Sequence, residues 1–583
     1  MKDFLKNVLA NITAILILCG VFFIFIMMMI AVSSAFEDGK AKVKENSVLV
    51  LDMYTRILES PTDSNDDFFN LNPEKKEVLA YNVIKAIQAA KTDDRIKGIS
   101  IEADWLQAGI TQVDDIRAAL EDFKKSGKFV YAYGNSVSQT AYYLGSVAQK
   151  YYLNPAGGIQ LSGLSTEVTY LKDFLDKYGI GMEVLRHGKY KAAVEPLFRN
   201  DMSTENREQL STLLNDIWSN TSKSIMASRK IDSVQFRLVV DSLYSMIPEN
   251  NIKYHLVDKL AQQTEYENML KGVLKQDTDD KLRKVSVADY VTTLEQNNAA
   301  DEVAVLYASG DITNGDDYEG IQSRTYVKEI QKLQKKDNVK AVVLRVNSPG
   351  GSANAADEIL FELKQLRAKK PVVVSFGDYA ASGGYYIAMA GDKIFTGKNT
   401  VTGSIGVFGV IPNAKELANR NGLHSEEVTT NASSNAISFW RGLAPGAKNM
   451  LTKSIEATYR RFVGFVMENR KKTFQEVDNV GGGRVWAGSR AKAIGLADET
   501  GTLQDAVNYA AKKAGLKEFD VAAYPKKKSK FEQLFKDLDE EAVSNKMISR
   551  KIGKENLKIF EMLFSGKPQE KIMMQFPVRV RLN

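Results

Sequence analysis

Short apolar runs alternate with amphipathic stretches along most of the chain. Lys340–Val346 (KAVVLRV) is largely apolar, which is typical of a buried parallel strand. After a glycine-rich break, the apolar positions of Ala353–Lys369 fall on one face of a predicted helix. Pro371–Phe376 predicts the next strand, and Ser382–Ala390 predicts a buried helix. This order predicts α/β layers joined by right-handed crossovers.

The same pattern occurs earlier in the chain, so the sequence contains a repeat. Asp94 aligns with Asp337, a difference in numbering of 243, and the alignment needs no gap from residue 94 to residue 163. Matches at this offset include Tyr142-Tyr143 with Tyr385-Tyr386, and Gly163 with Gly406. The sequence therefore predicts a tandem repeat of one α/β domain.

The segments outside the repeats have a different composition. Ile15–Val32 is almost wholly apolar and is long enough for one transmembrane helix. A cleaved signal peptide is the alternative, with Ala31-Val32-Ser33 as a cleavage site, but the apolar run is too long for it. Lysines on both sides leave the orientation open by charge, and we expect the large C-terminal body to lie outside the cytoplasm.

We therefore predict four regions. Residues 1–45 form a stub and the anchor, 46–295 the first repeat, 296–524 the second repeat, and 525–583 a basic tail with a β-like end at Val578–Leu582. The lysine run at residues 526–528 indicates a solvated surface or, alternatively, contact with anionic lipid.

Composition excludes several kinds of function. The chain of 583 residues has 78 basic and 72 acidic residues, a balance too even for a dedicated nucleic-acid binder. Cys19 is the single cysteine, so no disulfide can form within the chain. The three histidines argue against a histidine-rich metal site.

Two glycine-rich loops of the second repeat are the strongest candidates for chemistry. Asn347–Gly351 (NSPGG) can leave backbone N–H groups free for an oxyanion, and Ala380–Gly384 (AASGG) places Ser382 at the start of a predicted helix. These glycines could alternatively serve only close packing of strand on helix. The first repeat has Gln139 at the serine position and Gln107-Ala108 at the glycine pair. This difference favours chemistry in one copy only.

A nucleophilic serine needs a base, and the chain offers few. His424 lies in a polar loop and is best interpreted as a surface residue. Lys191 lies between Tyr190 and an Ala-Ala-Val run, and burial there could lower its pKa by the roughly 2–3 units that a base near neutral pH requires. Lys191 is in the first repeat and Ser382 in the second, so a working site needs both halves, from one chain or from adjacent chains.

Five motifs together resemble the signal peptide peptidase A family in its long, two-repeat, membrane-anchored form. They are 189–196 (KYKAAVEP), 347–351 (NSPGG), 378–385 (DYAASGGY), 402–409 (TGSIGVFG) and 483–488 (GRVWAG). The resemblance implies a fold related to the crotonases and the Clp protease, with a Ser/Lys dyad. By motif, Ser382 would be the nucleophile, Lys191 the general base and Ser404 the residue that orients the lysine. The oxyanion would be bound by the N–H of Gly383 and one from Gly350 or Gly351.

The resemblance also implies a biological setting. The family degrades cleaved signal peptides, and its long form is a homotetramer. We therefore expect a single-pass protein of the bacterial inner (cytoplasmic) membrane with its catalytic body on the periplasmic side, acting on signal peptides and other apolar peptides. No cofactor, metal or nucleic-acid partner is implied. A crotonase-like acyl-CoA enzyme and a catalytically silent membrane scaffold are the two alternatives.

Overall fold

The computed structural model describes residues 6–7, 10–21, 24, 28, 42–63, 76–294, 299–315, 320–526 and 573–575. The predicted anchor at residues 15–32 lies partly outside this part of the chain, and so does most of the tail, including Val578–Leu582. None of the helices among the described residues has the length and apolar character needed to span a bilayer.

The described strands and helices follow each other in largely alternating order. The strands are β1 (Ser47–Asp52), β2 (Thr55–Leu58), β3 (Lys76–Leu79), β4 (Ile96–Glu102), β5 (Phe129–Val137), β6 (Lys150–Ile159), β7 (Gly181–His187), β8 (Lys259–Leu260), β9 (Lys284–Ser286), β10 (Glu302–Ser309), β11 (Ile312–Thr313), β12 (Ile321–Gln322), β13 (Val339–Ser348), β14 (Gly350–Ser352), β15 (Val372–Ala381), β16 (Lys393–Thr396), β17 (Val401–Gly403), β18 (Val407–Asn413), β19 (Ile437–Ser438), β20 (Gly442–Leu443), β21 (Val485–Ala487), β22 (Glu499–Thr500), β23 (Asp520–Tyr524) and β24 (Met573–Gln575). The α-helices are α1 (Ala80–Thr92), α2 (Ile110–Lys124), α3 (Gln139–Gly145), α4 (Lys172–Lys177), α5 (Glu195–Phe198), α6 (Thr204–Arg229), α7 (Ser233–Asp241), α8 (Pro248–Lys253), α9 (Gln263–Val273), α10 (Val287–Thr293), α11 (Ser323–Lys335), α12 (Ala353–Arg367), α13 (Gly383–Ala388), α14 (Lys415–Arg420), α15 (Pro445–Arg470), α16 (Phe474–Val480), α17 (Gly488–Ala493) and α18 (Leu503–Lys513).

Each repeat is built on its own sheet. The first has six parallel strands in the order β8-β6-β5-β4-β1-β9. The second follows the path β21-β17-β15-β13-β10-β23 and is parallel except where β21 runs antiparallel to β17. The central strands are buried on both faces, which accounts for their continuous apolar runs.

The predicted tandem repeat is confirmed by corresponding elements. Helix α2 begins at Ile110 and ends at Lys124, and α12 begins at Ala353 and ends at Arg367, so both ends differ by 243 in residue number. Strands β5 and β15 likewise begin 243 residues apart. The α/β architecture predicted from the hydrophobic pattern is therefore present in both copies.

A third sheet joins the two repeats. Its order is β12-β11-β14-β24-β18-β7. Strand β7 comes from the first repeat and runs antiparallel to β18 of the second along seven paired residues, from Gly181 with Asn413 to His187 with Val407. This pairing carries the chain that follows His187, including Lys191, across to the second repeat.

A buried ion pair also connects the repeats. Arg345 Nε lies 2.5 Å from Glu59 Oε1, and both side chains are at most 5% exposed. Gln112 donates to the other Glu59 oxygen at 2.8 Å, and Arg345 also donates to Ser375 Oγ and to the Phe376 carbonyl. Burial opposes the charge of Arg345, but the Glu59 carboxylate outweighs it and raises the pKa of Arg345. The Arg345 guanidinium therefore stays charged inside the protein.

Breaking this pair is expected to destabilise the protein strongly. The Arg345→Met variant would leave the Glu59 carboxylate buried without its cation, which costs about 3–5 kcal/mol. The midpoint of urea denaturation measures the loss. The matched control is Arg461→Met, because Arg461 pairs with Asp357 at the surface and such pairs contribute about 0–1 kcal/mol. Equal midpoints for the two variants would contradict the prediction.

Candidate active site

Ser382 lies at the junction of β15 and α13 and is fully buried. Its backbone has φ 55° and ψ −113°, a strained conformation for a residue with a side chain. The structure around it holds this conformation: its N–H donates to the Gly403 carbonyl at 2.9 Å, and its own carbonyl accepts from the Tyr386 N–H at 2.8 Å. The hydroxyl is thereby held in one place beside the end of the sheet.

Lys191 lies in the loop after β7 and is 1% exposed. Its Nζ is 2.8 Å from Ser382 Oγ, 2.9 Å from Ser404 Oγ and 3.3 Å from the Ser404 carbonyl oxygen. The structure therefore brings together, within one chain, the three side chains that the sequence motifs single out. All three hydrogen-bond partners of Nζ are neutral oxygens.

The surroundings of Lys191 disfavour its charged form. Burial lowers the pKa of Lys191 well below its usual value of 10.5. Gly406 and Gly483 make room for the side chain: a Cβ added to Gly406 would lie 3.2 Å from Lys191 Cδ, and one added to Gly483 would lie 2.5 Å from the Lys191 backbone nitrogen. The Phe408 ring centroid lies 5.9 Å from Nζ. Nζ is therefore buried, and its polar contacts are with Ser382 and Ser404.

Side chains of the first repeat, together with one backbone N–H of the second, brace the lysine loop. Arg186 Nη1 donates to the Lys191 carbonyl at 3.2 Å and lies 3.5 Å from the fully buried Glu195, which accepts from Ser203 Oγ at 2.5 Å. Gln209 of α6 donates to the Tyr190 carbonyl at 3.0 Å and accepts from the N–H of Val485 in the second repeat at 3.3 Å. The lysine is therefore held at a fixed distance from Ser382 by a network that spans both repeats.

The turn at residues 481–484 links the lysine loop to the segment that carries Ser404. The Gly482 carbonyl accepts from the Tyr190 N–H at 3.0 Å, and the Gly483 N–H donates to the Ile405 carbonyl at 2.8 Å. The Ser404 N–H donates to the Arg484 carbonyl at 2.7 Å. The carbonyl and N–H groups of this turn therefore position both the lysine loop and the segment that carries Ser404.

The three predicted oxyanion glycines lie together beside Ser382. A Cβ added to Gly383 would lie 3.2 Å from both Gly350 Cα and the Gly351 nitrogen. Gly350 has φ 104°, a conformation that favours glycine. Its N–H donates to Ser348 Oγ at 3.1 Å, a bond that an incoming oxyanion would have to share or replace. The geometry leaves both Gly350 and Gly351 as candidates for the second donor.

In the first repeat, a glutamine occupies the position equivalent to Ser382. Gln139, the counterpart of Ser382, is 4% exposed, and its side-chain oxygen accepts from the N–H groups of Ser162 and Gly163. Its amide nitrogen donates to the Gly163 carbonyl at 3.0 Å, and Gly163 is the counterpart of Gly406. A structural amide thus takes the place of the Ser/Lys pair in this copy.

The hydrogen bonds of Lys191 Nζ and Ser382 Oγ involve no histidine. His424 is exposed, as the sequence predicts. His187 stacks on the Tyr459 ring with centroids 3.8 Å apart. The bracing residues Arg186, Glu195 and Gln209 were not identified from sequence, and Glu195 alone carried a signal, since it falls within the 189–196 motif.

Comparison with known proteins gives consistent matches. The model of peptidase family S49 matches residues 122–276 and 364–517, one stretch in each repeat, and that of the Clp protease family matches residues 294–400. Protease 4 of Salmonella typhi is 35% identical over 529 residues, covering 87% of this chain and 85% of that protein. Protease 4 of Haemophilus influenzae is 34% identical over 516 residues, covering 85% and 84%. The chloroplastic serine protease SPPA of Arabidopsis thaliana is 31% identical over 487 residues, covering 82% and 70%.

Proposed function

The chain belongs to peptidase family S49 and is a serine peptidase, and from that premise we propose that it is an endopeptidase that degrades cleaved signal peptides through a Ser382/Lys191 dyad. The observation that carries the proposal is the buried contact of 2.8 Å between Lys191 Nζ and Ser382 Oγ. Side chains from the two halves of the chain meet there in a place where a charged lysine is disfavoured.

The three contacts of Nζ match a neutral amine. Such an amine has two N–H donors and one lone pair. Ser404 offers two acceptors, its Oγ and its carbonyl oxygen, so the lone pair is left for the hydroxyl hydrogen of Ser382. Ser404 therefore orients the lysine, and Lys191 accepts the proton of Ser382 in the first step.

The mechanism has two stages. Ser382 Oγ attacks the peptide carbonyl while Lys191 takes its proton, and the tetrahedral oxyanion binds the N–H of Gly383 with one from Gly350 or Gly351. One such donor is commonly worth about 3 kcal/mol. Lys191 then protonates the leaving amine, and an acyl-enzyme on Ser382 remains. In the second stage Lys191 activates a water molecule that hydrolyses the acyl-enzyme.

The setting is part of the proposal. An anchor at residues 15–32 would place the body beside the bilayer that holds the substrates, on the periplasmic side of the bacterial inner membrane. Apolar peptides are the substrate class that such a position supplies. The family resemblance supports a homotetramer.

A labelling and turnover experiment tests the proposal. A serine-directed phosphonate is expected to add once per chain, at Ser382, and to stop hydrolysis of signal-peptide fragments. Polar peptides of the same length serve as the control substrates and are expected to be cut more slowly. A crotonase-like enzyme would take no label, and a scaffold would show no turnover. Labelling elsewhere, or preference for the polar peptides, would contradict the proposal.

A further inference from the structure

Tyr459 of α15 contacts both the strand that leads to the lysine loop and the turn at residues 481–484. It is buried, and its ring stacks on His187, the last residue of β7, with the ring centroids 3.8 Å apart. Its hydroxyl oxygen accepts from the Gly482 N–H at 3.4 Å, and the hydroxyl donates to the Asp478 carboxylate. One side chain from the second repeat therefore holds two backbone segments that meet beside Lys191.

The hydroxyl of Tyr459 acts as a donor and as an acceptor. Burial, and after it the bond to Asp478, raises the pKa of Tyr459, so the hydroxyl keeps its proton and remains the donor. A Cβ added to Gly481 would lie 3.2 Å from the hydroxyl oxygen, so the turn approaches this oxygen closely. The Gly481 N–H also donates to the Asp478 carbonyl at 3.1 Å. The turn is therefore fixed to α15 and to the end of α16 together.

The turn packs directly against the lysine loop. A Cβ added to Gly188 would clash with the Gly482 carbonyl oxygen, and a Cβ added to Gly483 would lie 2.6 Å from Lys191 Cα. Because packed backbones move together, a shift of the turn would displace the lysine loop. The contact of 2.8 Å between Lys191 Nζ and Ser382 Oγ therefore depends on where the turn is held.

The first repeat has no hydroxyl at the position of Tyr459. Helices α6 and α15 are both 26 residues long, and their ends differ by 241 in residue number, so Trp218 is the counterpart of Tyr459. Trp218 stacks on Phe236, with the ring centroids 6.0 Å apart, in the copy that has Gln139 in place of the serine. An aromatic ring thus serves packing in both copies, whereas the hydroxyl occurs only in the copy that carries Ser382.

We propose that Tyr459 is a positioning residue for the reaction, an inference that rests on the proposed dyad. Its hydroxyl fixes the turn at residues 481–484 and, through the turn, the distance between Lys191 and Ser382. The hydrogen bonds of Nζ and of Ser382 Oγ do not include Tyr459, so it acts through the turn. A loosened turn would also admit water to Nζ, and water favours the charged form of the amine.

Tyr459→Phe tests this inference, because it removes the hydroxyl and keeps the ring on His187. We expect kcat for a signal-peptide fragment to fall about 10- to 100-fold with KM unchanged, the scale of a small displacement of a catalytic group. The pH at which kcat/KM reaches half of its plateau should rise, because water would stabilise the charged amine. Labelling by a serine-directed phosphonate should slow together with kcat, since it reports the reactivity of Ser382 without a bound peptide.

Tyr142→Phe is the matched control. Tyr142 is fully buried in the first repeat, and its hydroxyl donates to the Leu256 carbonyl at 2.8 Å. Both variants lose a buried hydrogen bond, so both should unfold at a lower urea concentration than wild type. Tyr142→Phe is expected to keep the kcat, the labelling rate and the pH profile of wild type. If Tyr459→Phe kept all three as well, the inference would be overturned.

Ser382→Ala in the same assay separates this inference from the proposed function. If Ser382→Ala loses turnover while Tyr459→Phe matches the Tyr142→Phe control, the positioning role is wrong and the proposed function stands. If Ser382→Ala cuts the fragment as fast as wild type, the proposed function itself fails.

Discussion

Ser382→Ala is expected to lower kcat for peptide hydrolysis by about 10⁴- to 10⁶-fold, because the acyl-enzyme cannot form without the hydroxyl. Removing the hydroxyl leaves Lys191 and the oxyanion glycines in place, so substrate binding should change little and the loss should fall on kcat. Initial rates measured over a range of concentrations of a fluorogenic signal-peptide fragment give kcat and KM.

A control for Ser382→Ala is available in the first repeat. Ser245 is also fully buried and donates to the Ile159 carbonyl at 2.8 Å, far along the chain from the candidate site. Ser245→Ala is expected to keep the wild-type kcat. A Ser382→Ala rate within tenfold of wild type would exclude Ser382 as the nucleophile.

Lys191→Met is expected to lower kcat/KM by about 10²- to 10⁴-fold, the range for loss of a general base. The methionine side chain fills similar space without the amine, so Ser382 keeps its position and loses its proton acceptor. Lys189→Met is the matched control, because Lys189 lies two residues away but is exposed, with its Nζ 5.2 Å from the Tyr190 ring centroid. Similar losses in both variants would show that the effect comes from the loop and not from the base.

The pH dependence separates a base from a merely structural lysine. Because burial lowers the pKa of Lys191, kcat/KM of wild type is expected to rise with pH as the amine loses its proton, and to level off above that lowered pKa. The native state binds fewer protons here than the unfolded chain between the lowered pKa and 10.5, so this group makes stability rise with pH across that window. In Lys191→Met, neither kcat/KM nor stability should depend on pH through this group. Below the window, the variant should be more stable than wild type. If the residual rate of Lys191→Met kept the pH profile of wild type, Lys191 would be excluded as the base.

Much of the architecture could be predicted because it depends on local pattern. The helix predicted within residues 353–369 is α12, and its ends lie within two residues of the prediction. The serine loop stood out because the two copies differ there, Ser382 against Gln139. Lys191 stood out by its small, apolar neighbours, and motif comparison supported it and added Ser404, since five short motifs in one order specify a family better than any one of them.

Interactions between distant residues could not be predicted in the same way. Glu59 and Arg345 are separated by 286 residues, and although Arg345 lies in a predicted buried strand, nothing in the local sequence identifies Glu59 as its partner. The pairing of β7 with β18 likewise depends on how the two repeats meet, which no periodicity records. The strand Met573–Gln575 is a further example, because its partners β14 and β18 belong to another part of the fold.

The division of the site between the repeats has a consequence for biosynthesis. A ribosome makes Lys191 long before Ser382, and the turn at residues 481–484 that contacts both loops comes later still. Since domains form as the chain emerges, N-terminal part first, the growing polypeptide would hold no assembled dyad of the proposed kind for most of its synthesis. With that dyad, a peptidase built in this order would be inert while its own unfolded segments are most exposed to cleavage.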